Sequence, residues 1–376
     1  LNDFNFNLNN SIFKGGINIL DPFGKDDLEF SGFLVKSTIN TSDFFSNSNP
    51  KLFEVESNFL FENNKLIIND LQIFDDKNYL NSSVVLSDFG DNIPKFIEIS
   101  FNQFNSSSFE LESIFPTIFG SILPSSLKSI GLFDLKGDLY YTDTIIKSSF
   151  DLSSKEGNIF SNLQLSDFSI IDNAKYSGEF KGSDINLSNI VGLPFLGNSN
   201  FDFSINGRGF TQEFLNTSIE GNIFDVDIND YKYENIIISG NVNNKIFDGY
   251  LSVNDENLEM DFSGLVNFTG DIFDFDFTTE IEKSNLFRLK LSKLEDTSLS
   301  GLIVTKLRGN DIENLIGDIS FSNFKYQTDE IEYDFEELIA QSRINNDRRF
   351  FNIISDDVVD GIITVSYTHL TLPTSP

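Results

Sequence analysis

The chain has no cysteine, no tryptophan, one methionine (Met260) and one histidine (His369). The missing cysteines exclude disulfides, zinc–thiolate centres and thiol nucleophiles. They leave the compartment open, because a large core needs no covalent staples. His369 falls in an out-of-character terminus, SYTHLTLPTSP from Ser366, which has no Phe, Asn or acid and reads as a translated adaptor, a foreign tail. Acid–base chemistry near neutrality is then left to carboxylates, lysine and tyrosine, so the chain reads as a non-enzyme with no catalytic residue, cofactor or metal. No Walker loop, EF-hand loop or dinucleotide fingerprint appears.

Long apolar runs are missing too. None approaches the ~20 residues of a membrane-spanning helix. The chain opens at Leu1 with strand-like Phe4, Phe6 and Leu8, so a signal peptide and an anchor are expected upstream of this piece. Positive charge is scarce: 26 Lys and Arg against 58 Asp and Glu give a net charge of -32, spread along the chain. Such a surface repels a phosphate backbone, which excludes nucleic acid, and disfavours anionic headgroups.

What is abundant is phenylalanine, 42 residues of it, together with Asn, Ile and Asp. All four have A/T-rich codons, so their placement carries more information than their number. They recur with a period of two from end to end. Phe273, Phe275, Phe277 and Ile281 alternate with Asp274, Asp276, Glu280 and Glu282. Leu258, Met260, Phe262, Val266 and Phe268 repeat the pattern, as do Phe201, Phe203 and Ile205, and Phe224, Val226 and Ile228. One face of each strand is apolar and the other polar.

Asn206-Gly207, Glu220-Gly221, Ser239-Gly240, Asp248-Gly249, Ser263-Gly264 and Lys181-Gly182 read as tight hairpin turns. With them the chain becomes an all-β antiparallel meander of about two dozen strands, too many for a flat sheet. At ~4.8 Å per strand it would extend roughly 115 Å. Curling into a U leaves an elongated apolar trough; the alternative is an ordinary sandwich core filled by its own side chains.

Leu111 to Leu127 breaks the period, with Ile114, Ile118 and Ile122 at helical spacing and Pro116 and Pro124 as breakers. It predicts one or two short helical turns, and Asp311 to Leu315 another. Asn40 to Pro50 and Asn102 to Ser108 read as surface loops. The pairs Asp225/Asp227 and Asp274/Asp276 read as solvent-side acids rather than glycosidase acids or calcium ligands. Asn254-Asp255-Glu256-Asn257 reads as a hairpin turn in preference to a calcium turn.

From Asp184 to Gly270 the sequence resembles the C-terminal half of TamB-like proteins of the Bacteroidota, relatives of the AsmA group of envelope proteins. The resemblance is carried by LGNSNFDFSINGRGF from Leu196, IEGNIFDVDINDYKYENIIISGNV from Ile219, the Phe247 to Leu258 block, SGLVNFTG from Ser263 and NLIGDIS from Asn314. LESIFPTIFGSILPSSLKSIG from Leu111 also looks like a family element, and coverage is about 110 to 365. The resemblance implies a β-taco groove in the periplasm, tethered to the inner membrane by a helix outside this chain. Family members are implicated in moving phospholipid between membranes and in outer-membrane protein assembly with a BamA-like barrel, met through a C-terminal region that the tail replaces.

The expected organisation is a β-groove segment over 1–110, a short helical insertion over 111–130, a TamB-like β-groove domain over 131–365 and a non-native tail over 366–376. The expected function is a bridge conducting phospholipid. A sixteen-carbon acyl chain leaving a bilayer unshielded faces on the order of 12 kcal/mol at ~0.8 kcal/mol per methylene, and an apolar groove offsets most of it. The lining set is Phe201, Phe203, Ile205, Phe224, Val226, Ile228, Leu258, Met260, Phe262, Phe273, Phe275 and Phe277. The rivals are a chaperone or structural protein that templates strands at its rim, and an extracellular β-solenoid adhesin or glycan-acting protein.

Overall fold

Alternating strands joined by short links have one partner within reach without a crossover, the next strand in sequence. The computed structural model is built on that rule. It describes residues 13–19, 28–40, 52–62, 64–90, 93–114, 129–170, 172–211, 213–311, 314–345, 348–355 and 361–363. The fold is the expected all-β antiparallel meander, in two compact units, Leu1–Ile205 and Asn206–Pro376. The division falls inside a strand, β11 (Leu196–Arg208), and the helical insertion lies within the first unit.

In the first unit, β1 (Phe13–Ile19), β2 (Leu28–Asn40), β3 (Leu52–Glu62), β4 (Lys65–Phe74) and β5 (Tyr79–Gly90) each pair antiparallel with their successor. The ladder continues through β6 (Ile93–Ser107), β7 (Leu132–Thr142), β8 (Ile145–Ser154), β9 (Gly157–Ser166) and β10 (Lys175–Asn186). In the second unit the same order links β12 (Asn216–Ile228), β13 (Tyr231–Asn243), β14 (Ile246–Asp255), β15 (Leu258–Asn267) and β16 (Asp274–Ser284). It runs on through β17 (Ser298–Arg308), β18 (Ile316–Gln327), β19 (Glu332–Asn345), β20 (Arg348–Ile354) and β21 (Gly361–Ile363).

The glycine dipeptides do not make the turns. Gly182, Gly207, Gly221, Gly240, Gly249 and Gly264 all lie inside strands β10 to β15. The tight turns fall instead at Asn229-Asp230 (φ 51° and 64°) and Asn244-Lys245 (φ 42° and 65°), where two consecutive positive φ values suit the twist of a hairpin. In-strand glycine makes room for rings. A Cβ on Gly182 would sit 2.4 Å from the Phe201 ring, and Cβ atoms on Gly240 and Gly249 would sit 2.8 and 2.9 Å from the Phe247 ring.

A second device shifts the alternation. Asp70, Asn235 and Asn323 sit within strands at φ 50°, 53° and 48°, a region that Asn and Asp tolerate better than other non-glycine residues. Beyond such a residue the side-chain faces exchange. On β18, Phe321 and Phe324 are three apart yet their ring centroids lie 4.9 Å from each other, with Asn323 between them. On β13, Tyr231 and Tyr233 are sheltered on one side of Asn235 and Ile236 on the other.

Helix is scarce, as the sequence suggested. The described part of the Leu111 to Leu127 segment is a short helix, α1 (Ser108–Ile114), and the remainder lies outside the described residues. A second helix that the alternation hid, α2 (Leu187–Val191), is capped by Asn186, whose side chain accepts from the Asn189 N–H, and ends on Gly192 at φ 78°. Of the turn expected at Asp311 to Leu315, residues 312 and 313 lie outside the described residues, and the Asn314 N–H donates to the Asp311 carbonyl at 3.0 Å. There the Asn314 Oδ1 accepts from the Asn310 and Asp311 N–H groups, closing a turn. The loop expected at Asn102 to Ser108 is strand β6 running to Ser107, then the start of α1. Residues 41–50 and the tail 366–376 lie outside the described residues.

Candidate functional site

In the second unit the register assembles the apolar positions into rows across the strands. Ile238, Leu251, Phe262, Thr279, Ile303, Phe321 and Leu338 are successive cross-strand partners from β13 to β19, and Thr279 is the one polar member. The adjacent row runs Gly240, Gly249, Gly264, Phe277, Thr305, Ile319 and Ala340. Rings interlock across this face: Phe262 and Phe277 lie 5.1 Å apart, Phe247 and Phe262 6.4 Å.

This face is not sealed. A sandwich core would bury its side chains almost completely, yet the described large hydrophobics that are buried in this unit are Val226, Ile236, Val253 and Leu289. Six of the seven members of the Ile238 row are half-buried, Thr279 being the buried one. The opposite face is polar and laced with exposed cross-strand ion pairs: Asp274 to Arg308 at 3.4 Å, Asp276 to Lys306 at 4.0 Å and Asp318 to Arg343 at 2.6 Å. Each such exposed pair contributes ~0.2–1 kcal/mol.

In the first unit the apolar face forms a cavity of about 430 Å³, within the ~300–1,000 Å³ of ligand pockets. Two register rows make its floor. One is Phe101, Gly137, Phe150, Ser161 and Phe180; the other is Phe104, Leu135, Leu152 and Ile159. With no side chain on Gly137, the rings of Phe101 and Phe150 approach across it to 5.9 Å. Leu111 of α1, Ile130 and Phe133 close one end.

Buried carboxylates pin the helices to the strand ends. Glu110 of α1 accepts from Lys77 Nζ at 3.1 Å, and Asn78 beside it accepts from Ser106 Oγ at 2.5 Å. Glu156, in the β8–β9 turn, accepts from Asn189 Nδ2 of α2 at 2.7 Å and pairs with Lys155 at 3.0 Å. The Asn189 hydrogen bond, then Lys155, hold the Glu156 carboxyl below its usual range against the opposing effect of burial.

The structure divides the twelve expected lining residues. Met260 and Phe262 on β15 share the apolar face with Phe275 and Phe277 on β16, with Leu258 and Phe273 at its margins. Phe201, Phe203 and Ile205 belong to the first unit, where Phe201 is buried, stacks on Phe203 at 4.8 Å and touches Phe180 of the cavity wall at 5.8 Å. Val226 is buried and Ile228 half-buried, paired with Tyr233 and Tyr231. Phe224 departs from the set: it is 52% exposed on the outer side. The sheltered pairs are Ile223 with Ile236 and Val226 with Tyr233, so the faces exchange between them, at Phe224 and the left-handed Asn235. The cavity residues of β6 to β10 were not in the expected set; their signal is the same alternation, at Phe133/Leu135 and Phe150/Leu152.

Two of the acids singled out in the sequence take part in local pairing. Asp225 pairs with Lys232 at 3.4 Å. Asp255, in the Asn254 to Asn257 turn, accepts from the Tyr231 hydroxyl, from the Asn257 N–H at 2.8 Å and from the Glu234 N–H at 3.0 Å. Burial, then the bond to Asp255, push the Tyr231 phenol up to about 12. Among the described residues no cluster of three or more His, Cys, Asp or Glu is placed to hold a metal ion, and no helix is long and apolar enough to cross a membrane. Comparison of the chain with known protein families, with curated proteins and with solved structures finds no match.

Proposed function

We propose that the chain is a segment of a lipid-conducting bridge, whose apolar strand face shields phospholipid acyl chains while the headgroups remain at the open edge. The observation that carries this reading is the half-buried row from Ile238 to Leu338, apolar at six of seven strands and in register. Conduction needs an uninterrupted apolar path and no reacting group, since each methylene shielded is worth ~0.8 kcal/mol. The first-unit cavity has the size and lining for acyl segments. The sequence resemblance to TamB-like envelope proteins supports the same reading. It adds a periplasmic location, an inner-membrane tether, a linked role in outer-membrane protein biogenesis and a BamA-like partner.

Photo-crosslinking residues placed at Phe262 and Phe277, with outward Phe224 as control, test the proposal in cells. Lipid adducts at the first two positions and none at Phe224 are expected. Polypeptide adducts in place of lipid at Phe262 and Phe277 contradict it and favour a strand-templating chaperone.

A further inference from the structure

The loop between β16 and β17 runs against the composition of the chain. From Asn285 to Leu294 it holds three cations, Arg288, Lys290 and Lys293, and no acid, in a protein of net charge -32. The loop is firmly built. Leu289 is its buried anchor, 1% exposed, and the Leu286 N–H donates to the Thr297 carbonyl at 2.7 Å. The Leu289 N–H donates to the Asn285 carbonyl at 3.0 Å, and Asn285 donates to Asn257 of the neighbouring turn at 2.8 Å.

Two leucines of this rigid loop face out, Leu291 at 63% and Leu294 at 59% exposure. Arg288, Lys290 and Lys293 are exposed around them, and among the described residues none of the three forms an ion pair. Acids flank it on both sides: Glu282 precedes it beside Glu259 and Glu280, and Glu295 and Asp296 close it beside Asp329 and Glu330. Unpaired cations beside protruding aliphatic side chains match a surface that offers phosphates over hydrocarbon. Two aliphatic side chains with cations beside them are the pattern of an interfacial membrane contact.

We propose that this loop docks the protein on an anionic phospholipid bilayer, with Leu291 and Leu294 entering the headgroup layer and Arg288, Lys290 and Lys293 meeting phosphates. The net negative charge elsewhere opposes such a contact, so it rests on these three cations and two leucines. The inference is independent of whether the strand face carries lipid, because docking and cargo are read separately.

Flotation of the full chain with phosphatidylglycerol-containing vesicles and with purely phosphatidylcholine vesicles tests it. Binding to the former is expected, weakening with salt. R288E/K290E/K293E is expected to lower the partition coefficient by two orders of magnitude or more, at ~fivefold per cation, and L291S/L294S to lower it as well. All these positions are exposed, so circular dichroism of both variants stays that of the parent. Absence of flotation, equal flotation of the variants, or equal binding to neutral vesicles overturns the proposal. So does binding of polyglutamate without vesicle binding, lost on the same charge reversals, which assigns the loop to an acidic protein.

Discussion

Phe262 and Phe277 face each other from adjacent strands with ring centroids 5.1 Å apart and planes inclined at 41°, although Phe262 pairs in register with Thr279 and Phe277 with Gly264. The contact is diagonal, and the bare Gly264 lets the Phe277 ring lean across it. A double-mutant cycle with Phe262→Ala and Phe277→Ala is expected to give a coupling of ~0.5–1.5 kcal/mol by urea denaturation. Additive effects would mean that the two rings do not pack in solution.

Gly264 itself stands at φ 144°, and a Cβ there would lie 2.4 Å from the Asp276 carbonyl oxygen. Both the conformation and the backbone contact oppose any side chain. Gly264→Ala is expected to cost ~1–3 kcal/mol, seen as a lower urea midpoint. A neutral Gly264→Ala would show that the strands are not paired this closely.

Asn323 sets the exchange of faces on β18 at φ 48°. Asn323→Ala is expected to cost ~1–2 kcal/mol, while Asn323→Gly, free of the Cβ penalty, costs less. The reverse ranking in thermal melts would remove the left-handed residue as the cause of the exchange.

Tyr231 links stability to alkaline pH. Its folded phenol titrates at about 12, against 10.0 for the unperturbed group. Below pH 10 the contribution of the neutral phenol is fully present. As pH rises from 10 through 12, the unfolded chain loses its proton first, and the contribution is lost. Urea midpoints measured across that window are expected to fall more steeply in the parent than in Tyr231→Phe.

Strand alternation made much of the fold legible. Phe273, Phe275 and Phe277 against Asp274 and Asp276 named both faces of β16 correctly, because burial on one side enforces the period directly. The turns were misread because glycine serves two physical ends, positive φ in a hairpin and space beneath a ring, and the second applies at Gly240 and Gly249. Phe224 was misplaced because its strand changes face opposite Asn235, a feature of the partner strand 11 positions away that local periodicity does not contain. The cavity on β6 to β10 depends on five strands falling into register, so Phe101 and Phe180 carry no mark of belonging together. Asn186 and Gly192 do bracket α2 in the sequence, but five residues are too few for a helical period to show.

Lipid extraction and mass spectrometry of the purified full chain, beside Phe275→Arg, tests lipid conduction most directly. Phe275 is half-buried and pairs with Val266 and Leu307 on the apolar face. The expected result is co-purifying phospholipid in the parent and its loss in Phe275→Arg, with the β-sheet circular dichroism of the variant unchanged. A parent that carries no lipid, together with a Phe275→Arg variant that merely unfolds, would contradict an open lipid path and make this face a closed core.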